Sequence, residues 1–188
     1  MGDLSAEQPS LKHNTRLQFK QSLKNELYIK HLYELFKDYC GSKPIILSNF
    51  DNRPSKLKEY SAIKFQTFSL PCFNIYRELF YNSKGVKIIP NNLEDMITVR
   101  SLAYWIMDDG YKSGQGFYIS SESFTLAENT KLVDILHNKF GLSCSVHSHT
   151  NGHRLYIKSN SLALLVELVQ PYFLSHFNYK LNLEDSSD

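Results

Sequence analysis

Cysteine is scarce in this 188-residue sequence: Cys40, Cys72 and Cys144 stand far apart and form no C-x-x-C pair. Their odd number and spacing exclude a disulfide framework and a cysteine-based zinc site, and point to a reducing compartment. Long apolar runs are missing as well. The longest, such as 162–166, fall far short of the ~20 residues a membrane span needs, and no charged-then-apolar signal segment opens the chain. A soluble protein with no membrane partner is expected. Excess charge is absent too, since 21 Lys and Arg face 19 Asp and Glu for a net +2. Bulk charge therefore gives no nucleic-acid signal, and any such site must come from patterning. Gly and Ala are few, whereas Phe, Tyr, Asn, Lys and Ile abound, a bias compatible with an A+T-rich coding genome such as an organelle's. With 42% hydrophobic and 13% aromatic residues the chain is globular, as one compact domain or two small fused halves.

Period-2 alternation marks Arg16-Leu17-Gln18-Phe19-Lys20 as a strand with one buried face. A helix follows over 23–39, with Leu27, Leu32, Leu35, Phe36 and Tyr39 on its apolar face and Gly41 as C-terminal cap. Residues 45–47 precede a polar loop at 51–54. A second alternating strand spans 63–67, and Pro71 opens a helix through Phe73, Ile75, Tyr76, Leu79 and Phe80. The second half reads the same way: a strand at 117–121, then Thr125 to Glu128 as a capping box on a helix ended by Gly141. Strands at 143–147 and 154–158 flank a turn at 150–152, and a helix starts at Ser161. Phe19 to Ser22 maps onto Ile119 to Glu122 and Gly41 onto Gly141, both at an offset of 100 residues. Two copies of one unit are thus expected, with antiparallel sheets carrying helices on one face, an α+β fold.

The strand face turned from the helices would carry Arg16, Gln18, Lys20, Lys64, Gln66, Tyr118, Ser120, Ser145, His147, Arg154, Tyr156 and Lys158. A solvated face would mix in acids. Here every formal charge is positive, and Gln, Tyr and Ser add neutral donors, the inventory for phosphate contacts and for base edges in a major groove.

Between the halves, Val99, Leu102, Ala103 and Ile106 recur at i, i+3, i+4, i+7 and build a helix over 98–109 that Gly110 would cap. Asp108 and Asp109 then stand at its negative end, where each exposed acid costs about 0.3–1 kcal/mol. Either they merely solvate the helix end, or a divalent cation reverses the sign.

The stretch Leu102 to Gly110 resembles the nine-residue signature of the LAGLIDADG homing endonucleases, matching Leu, Ala, Ile, the second Asp and Gly. The segments Lys87 to Leu93, Ser123 to Thr125 and Tyr179 to Leu181 are similar to the double-motif, organelle-intron branch. The resemblance covers nearly the whole chain. It implies two pseudo-symmetric halves, 1–97 and 98–183, whose sheets form a saddle over double-stranded DNA with helices on the opposite face, followed by an acidic tail at 184–188. It also implies that the last Asp of each motif holds Mg²⁺ at a scissile phosphate. Those residues are Asp109 and, after Met1-Gly2, Asp3, with Lys87 and Lys180 as the nearby basic residues. The first motif helix before Gly2-Asp3 is missing, and Leu4 stands where the family often has Gly.

The resemblance therefore implies an intron-encoded endonuclease making Mg²⁺-dependent double-strand breaks in a mitochondrial matrix or other organelle interior. The alternative is an impaired relative that binds structured RNA as a maturase or as a part of an RNA-protein assembly. With the first motif helix missing, the stripe of Val99, Leu102, Ala103 and Ile106 is expected to need cover from a missing N-terminal segment, a second chain or a partner. His147, His149 and His153 are a further candidate metal trio, weighed against nucleic-acid contacts or plain surface groups.

Overall fold

The computed structural model describes residues 4–10, 12–51 and 58–183. Asp3 and the acidic tail at 184–188 lie outside the described residues. The chain divides into two compact units that part between Glu78 and Leu79. This division does not coincide with the expected boundary at 97/98, since the segment 79–97 packs with the second unit.

The first unit runs β1 (Leu4–Glu7), β2 (Arg16–Ser22), α1 (Glu26–Phe36), β3 (Ile45–Asp51) and β4 (Lys58–Gln66). A 3-10 turn begun by Pro71 then leads into α2 (Asn74–Phe80). In the second unit α3 (Leu93–Met96) and α4 (Val99–Asp109) precede β5 (Gly110–Ser113), β6 (Gly116–Ile119), α5 (Leu126–Phe140), β7 (Cys144–His149), β8 (Gly152–Ile157), α6 (Leu162–Val169) and α7 (Asn178–Leu181). Both sheets are antiparallel, ordered β1-β2-β4-β3 and β5-β6-β8-β7. Identical order makes the repeat a structural fact. Register sharpens it: Phe19 pairs with Leu4 and Phe65, and Ile119 pairs with Gly110 and Leu155, so positions 19 and 119 are equivalent as the sequence offset implies. The α+β class and the two pseudo-symmetric halves follow. Among the described residues no helix is long and apolar enough to cross a membrane.

Each core lies between one sheet and its helices. In the first, the Phe19 and Phe65 rings stack at 4.5 Å, Phe36 lies 5.0 Å from Phe19, and Tyr33 meets Phe65 edge-on at 5.6 Å. In the second, Phe117, Ile119, Leu155 and Ile157 of the sheet are buried with Leu132, Ile135 and Leu136 of α5.

Several expectations need correction. The buried face of α1 is Tyr28, Ile29 and Leu32, while Leu27 is 64% and Leu35 45% exposed. The first turn, Leu23–Asn25, is 3-10 and the α-helix proper begins only at Glu26, so a single 3.6-residue period run from 23 does not describe the buried face. Edge strands β1 and β5 were not legible, because Leu-Ser-Ala-Glu and Gly-Tyr-Lys-Ser are too short to establish alternation. Most of the α4 stripe is covered within this chain: Leu102, Ala103 and Ile106 are fully buried, Val99 in the first turn is half-buried, and α4 packs on α6 and the turn after it. The expected need for an outside cover loses its premise.

Glycines at helix ends also divide. Gly141 is left-handed (φ 70°) and donates to His137 O, as a cap should. Gly41 is not left-handed, and the Phe68 ring lies 2.8 Å from where its Cβ would stand. Gly110 caps α4 by donating to Ile106 O, but its backbone is extended (φ −85°, ψ 146°). Its need for glycine is close approach, since a Cβ would lie 2.6 Å from both Ile106 O and the Phe117 ring. Gly110→Ala is expected to destabilise the fold by about 1–3 kcal/mol, the cost of overpacking a filled site, read as a lower urea midpoint at unchanged m-value.

Candidate functional site

On the first sheet, Arg16, Gln18 and Lys20 alternate with buried Leu17 and Phe19, and pairing sets Gln18 against Gln66 and Lys20 against Lys64. All five predicted residues of this half therefore share one open face. Like charges directly opposite each other in a sheet are destabilising, so the Lys20–Lys64 pair is an arrangement that an anion would relieve. Neither lysine forms an ion pair among the described residues. The expectation that this face bears only positive charge fails at Glu7, which stands opposite Arg16 on β1. Its Oε2 accepts from Arg16 Nε at 3.2 Å and Nη2 at 2.9 Å, and its Oε1 accepts from Gln18 at 2.9 Å. Sequence reading missed Glu7 because it missed β1.

The second sheet's open face is a packed aromatic array. Tyr118 stacks on Tyr111 at 5.6 Å and tilts against Tyr156 at 4.8 Å, and His147 stacks on Tyr156 at 4.5 Å. The His147 ring is held between Tyr118 Oη (2.9 Å from Nδ1) and Ser145 Oγ (3.1 Å from Nε2). Arg154 pairs with Glu122 and donates to Tyr111 Oη at 2.6 Å, its guanidinium 5.7 Å from that ring's centre. Here too an acid joins the face. Tyr118, Ser120, His147, Arg154 and Tyr156 come together as expected, exposed Lys158 follows β8 in the same alternation, and Tyr111 and Glu122 are added. The histidine trio does not converge: His147 and His149 share this face, but His153 pairs with Ser148 on the other. Among the described residues no three His, Cys, Asp or Glu side chains gather to hold a metal. Burial pushes the Cys144 thiol up to about 12, so it is no nucleophile at neutral pH.

The motif helix α4 starts at a reciprocal capping box between Thr98 and Ser101 and ends at two half-buried carboxylates, Asp108 and Asp109. Asp109 O accepts from Ser120 N at 2.9 Å, so the last helical residue already belongs to the β5–β6 ladder. Its backbone is fixed from both sides. Lys180 of α7 brings its ammonium to this same end, 2.5 Å from Met107 O, 3.3 Å from Asp108 O and 3.4 Å from Ile106 O. A cation on the last carbonyls offsets the negative helix end beside the aspartates.

Lys87 lies on the segment leading to α3. It bridges Tyr81 after a turn in which Asn82 Oδ1 accepts from Lys84 N and Val86 N. This segment is pinned to α5: Ile89 N donates to Glu128 Oε1 at 3.1 Å, and Lys131 donates to Pro90 O and Asn91 Oδ1. Burial pushes the Glu128 carboxyl up, but the Thr125 amide and hydroxyl, the Ile89 amide and the Lys131 charge outweigh it and hold it below the usual carboxylate range. A depressed folded pKa stabilises above the unfolded value of about 4.3 and is lost as pH falls through the folded one. Glu128→Gln should therefore lower stability by about 1 kcal/mol at pH 7, the scale of a lost helix cap, and the gap should close in melts carried toward pH 3.

The sequence profile described as the LAGLIDADG DNA endonuclease family matches residues 1–165. The chain belongs to that family. The cytochrome b mRNA maturase bI2 of Saccharomyces cerevisiae is 30% identical over 96% of this chain, which spans 45% of that protein's length. The bI2 maturase of Debaryomyces hansenii is also 30% identical, with 96% of this chain and 70% of that one covered. A probable intron-encoded endonuclease 1 of Wickerhamomyces canadensis is 30% identical over 91% of this chain and 76% of its own. Among solved structures, the homing endonuclease I-WcaI bound to its DNA recognition sequence superposes with a TM-score of 0.89 at 29% identity, covering 96% of this chain and 80% of that one. The LAGLIDADG signature at 102–110 is all of α4 after its first three residues, plus its cap, and the two sheets belong to the pseudo-symmetric halves of a LAGLIDADG protein.

Proposed function

We infer that this protein is an intron-type homing endonuclease that binds duplex DNA on its open sheet faces and hydrolyses phosphodiester bonds at the end of α4. The observation that carries the reading is that helix end: two half-buried carboxylates and one ammonium at a backbone position fixed by helix and ladder together. Hard oxygen donors suit Mg²⁺ or Mn²⁺, which bind through one or two carboxylates and complete their shell with water and substrate phosphate. Asp109 would be the ligand in this half. Register makes Leu4 the equivalent of Gly110, so Asp3 precedes β1 in sequence as Asp109 precedes β5, and it would be the ligand of the first half. A bound divalent ion supplies an activated water and neutralises developing charge on the leaving oxygen. Lys180 offsets the helix dipole at the same place, and Lys87, on its pinned segment, supplies a second positive charge to the reacting phosphate. An organelle interior, the mitochondrial matrix, fits the A+T-type composition and the cytochrome b mRNA maturases among the relatives.

A second reading, an RNA-binding maturase, is favoured by the 96% coverage of this chain in both bI2 relatives. One experiment separates the two. A randomised duplex pool is incubated with the protein and Mg²⁺, and cut ends are captured and sequenced. A recurrent cut site that disappears with EDTA establishes the endonuclease. No cut ends above the chelator control, with tight binding of structured RNA, would replace it by the maturase.

A further inference from the structure

Each open sheet face carries one arginine held against a glutamate, and the two arrangements reach the same end by different routes. In the first unit, Arg16 on β2 gives Nε and one Nη2 proton to Glu7 across the β1–β2 pairing. In the second, Arg154 on β8 gives Nε to Glu122 in the loop after β6 and one Nη1 proton to Tyr111 Oη. A guanidinium has five N–H donors in a rigid fork. Among the described residues two are committed in both cases, which leaves at least one proton on each terminal Nη. One N–H from each Nη, side by side, can meet guanine O6 and N7.

The support in the second unit is itself held in place. The loop bearing Glu122 is fastened from beneath by buried Asn129, whose amide donates to Ser121 O, Phe124 O and Thr125 O. Ser121 Oγ donates to Asn129 Oδ1 at 2.6 Å and accepts from Leu155 N at 3.0 Å, which ties the neighbour of Arg154 to the neighbour of Glu122. Gly152 (φ 137°) lies so close that a Cβ would meet Glu122 O at 2.7 Å. An arginine restrained in this way loses little further freedom on forming two parallel hydrogen bonds. The pairing also makes each Arg–Glu unit neutral overall, which suits it poorly to phosphate. Lys20, Lys64 and Lys158 form no ion pair among the described residues and are the groups left for that task.

We propose that Arg16 and Arg154 each read a guanine in the major groove, with Glu7, Glu122 and Tyr111 as the positioning residues that aim them. The inference rests on the duplex-binding reading above. The experiment selects bound sequences from a randomised duplex pool with the full chain, then measures affinity and salt slope for a panel of single base-pair changes. In the wild type, two G·C positions should each discriminate against other base pairs by roughly 5- to 150-fold. Arg154→Lys should erase one preference at nearly unchanged salt slope, because the charge stays and the fork is lost. Glu122→Gln should weaken that same preference while Arg154 remains, and Arg16→Lys and Glu7→Gln should do so at the second position. A merely structural role for the glutamates would lower affinity evenly across the panel, and that pattern overturns the proposal. So do unchanged base preferences in the Arg→Lys variants. Absence of any duplex binding by the wild type would overturn the duplex reading as well, whereas binding with intact preferences overturns the guanine assignment alone.

Discussion

Asp109→Asn is expected to reduce duplex cleavage by roughly 10²–10³-fold or more while leaving duplex affinity nearly unchanged. The magnitude is the scale on which loss of one group that stabilises transition-state charge acts. The separation follows from geometry. Asp109 ends α4 and opens the ladder through its backbone, with its carbonyl accepting from Ser120 N, and an Asn keeps that backbone and nearly the same shape. What changes is charge: a neutral amide is a poor ligand for a hard divalent cation. The open sheet faces are built from other strands and other residues. Cleavage of the selected site and an electrophoretic binding titration, run on the same preparation, check both halves of the expectation. Undiminished cleavage by the Asn variant would show that this carboxylate takes no part in the chemistry.

How far the sequence alone could lead is clearest from residue pairs. Phe19 and Ile119 are equivalent on paper and equivalent in register, because alternation along β2 and the 100-residue offset both carry through to the paired strands. The polar faces were legible for the same reason. The acids on them were not. Glu7 sits on a strand of four residues and Glu122 in a loop, so neither belongs to a periodic pattern, and only pairing across the sheet and the buried Asn129 bring them to their arginines. Tyr111 was hidden likewise in β5. Gly110 was placed correctly at the end of α4 but for a different physical reason, since steric closeness to Phe117 leaves no trace in one-dimensional spacing. The cover over Leu102, Ala103 and Ile106 comes in part from α6, more than fifty residues along the chain, a distance at which periodicity is silent.

The sheet faces give the other large effect. Replacing Lys20, Lys64 and Lys158 together with Ala should lower the slope of log affinity against log salt by roughly 2.7, at about 0.9 for each phosphate of B-DNA that is no longer neutralised. Sequence reasoning would have counted Arg16 and Arg154 in this sum, but each already faces a carboxylate, so the neutral pairs release few counterions and contribute little to the slope. Raising the salt fourfold should accordingly weaken the wild type roughly 40-fold more than the triple variant. Stability should move in the opposite direction. Lys20 and Lys64 stand directly opposite each other, and removing that repulsion should raise the stability of the free protein by about 0.2–1 kcal/mol, a cost the wild type bears for its ligand. Filter-binding titrations at several salt concentrations and a urea melt of the free protein test the two signs together. A slope that stays at the wild-type value would remove these lysines from the groups that meet phosphate, and with them the assignment of the open faces to duplex DNA.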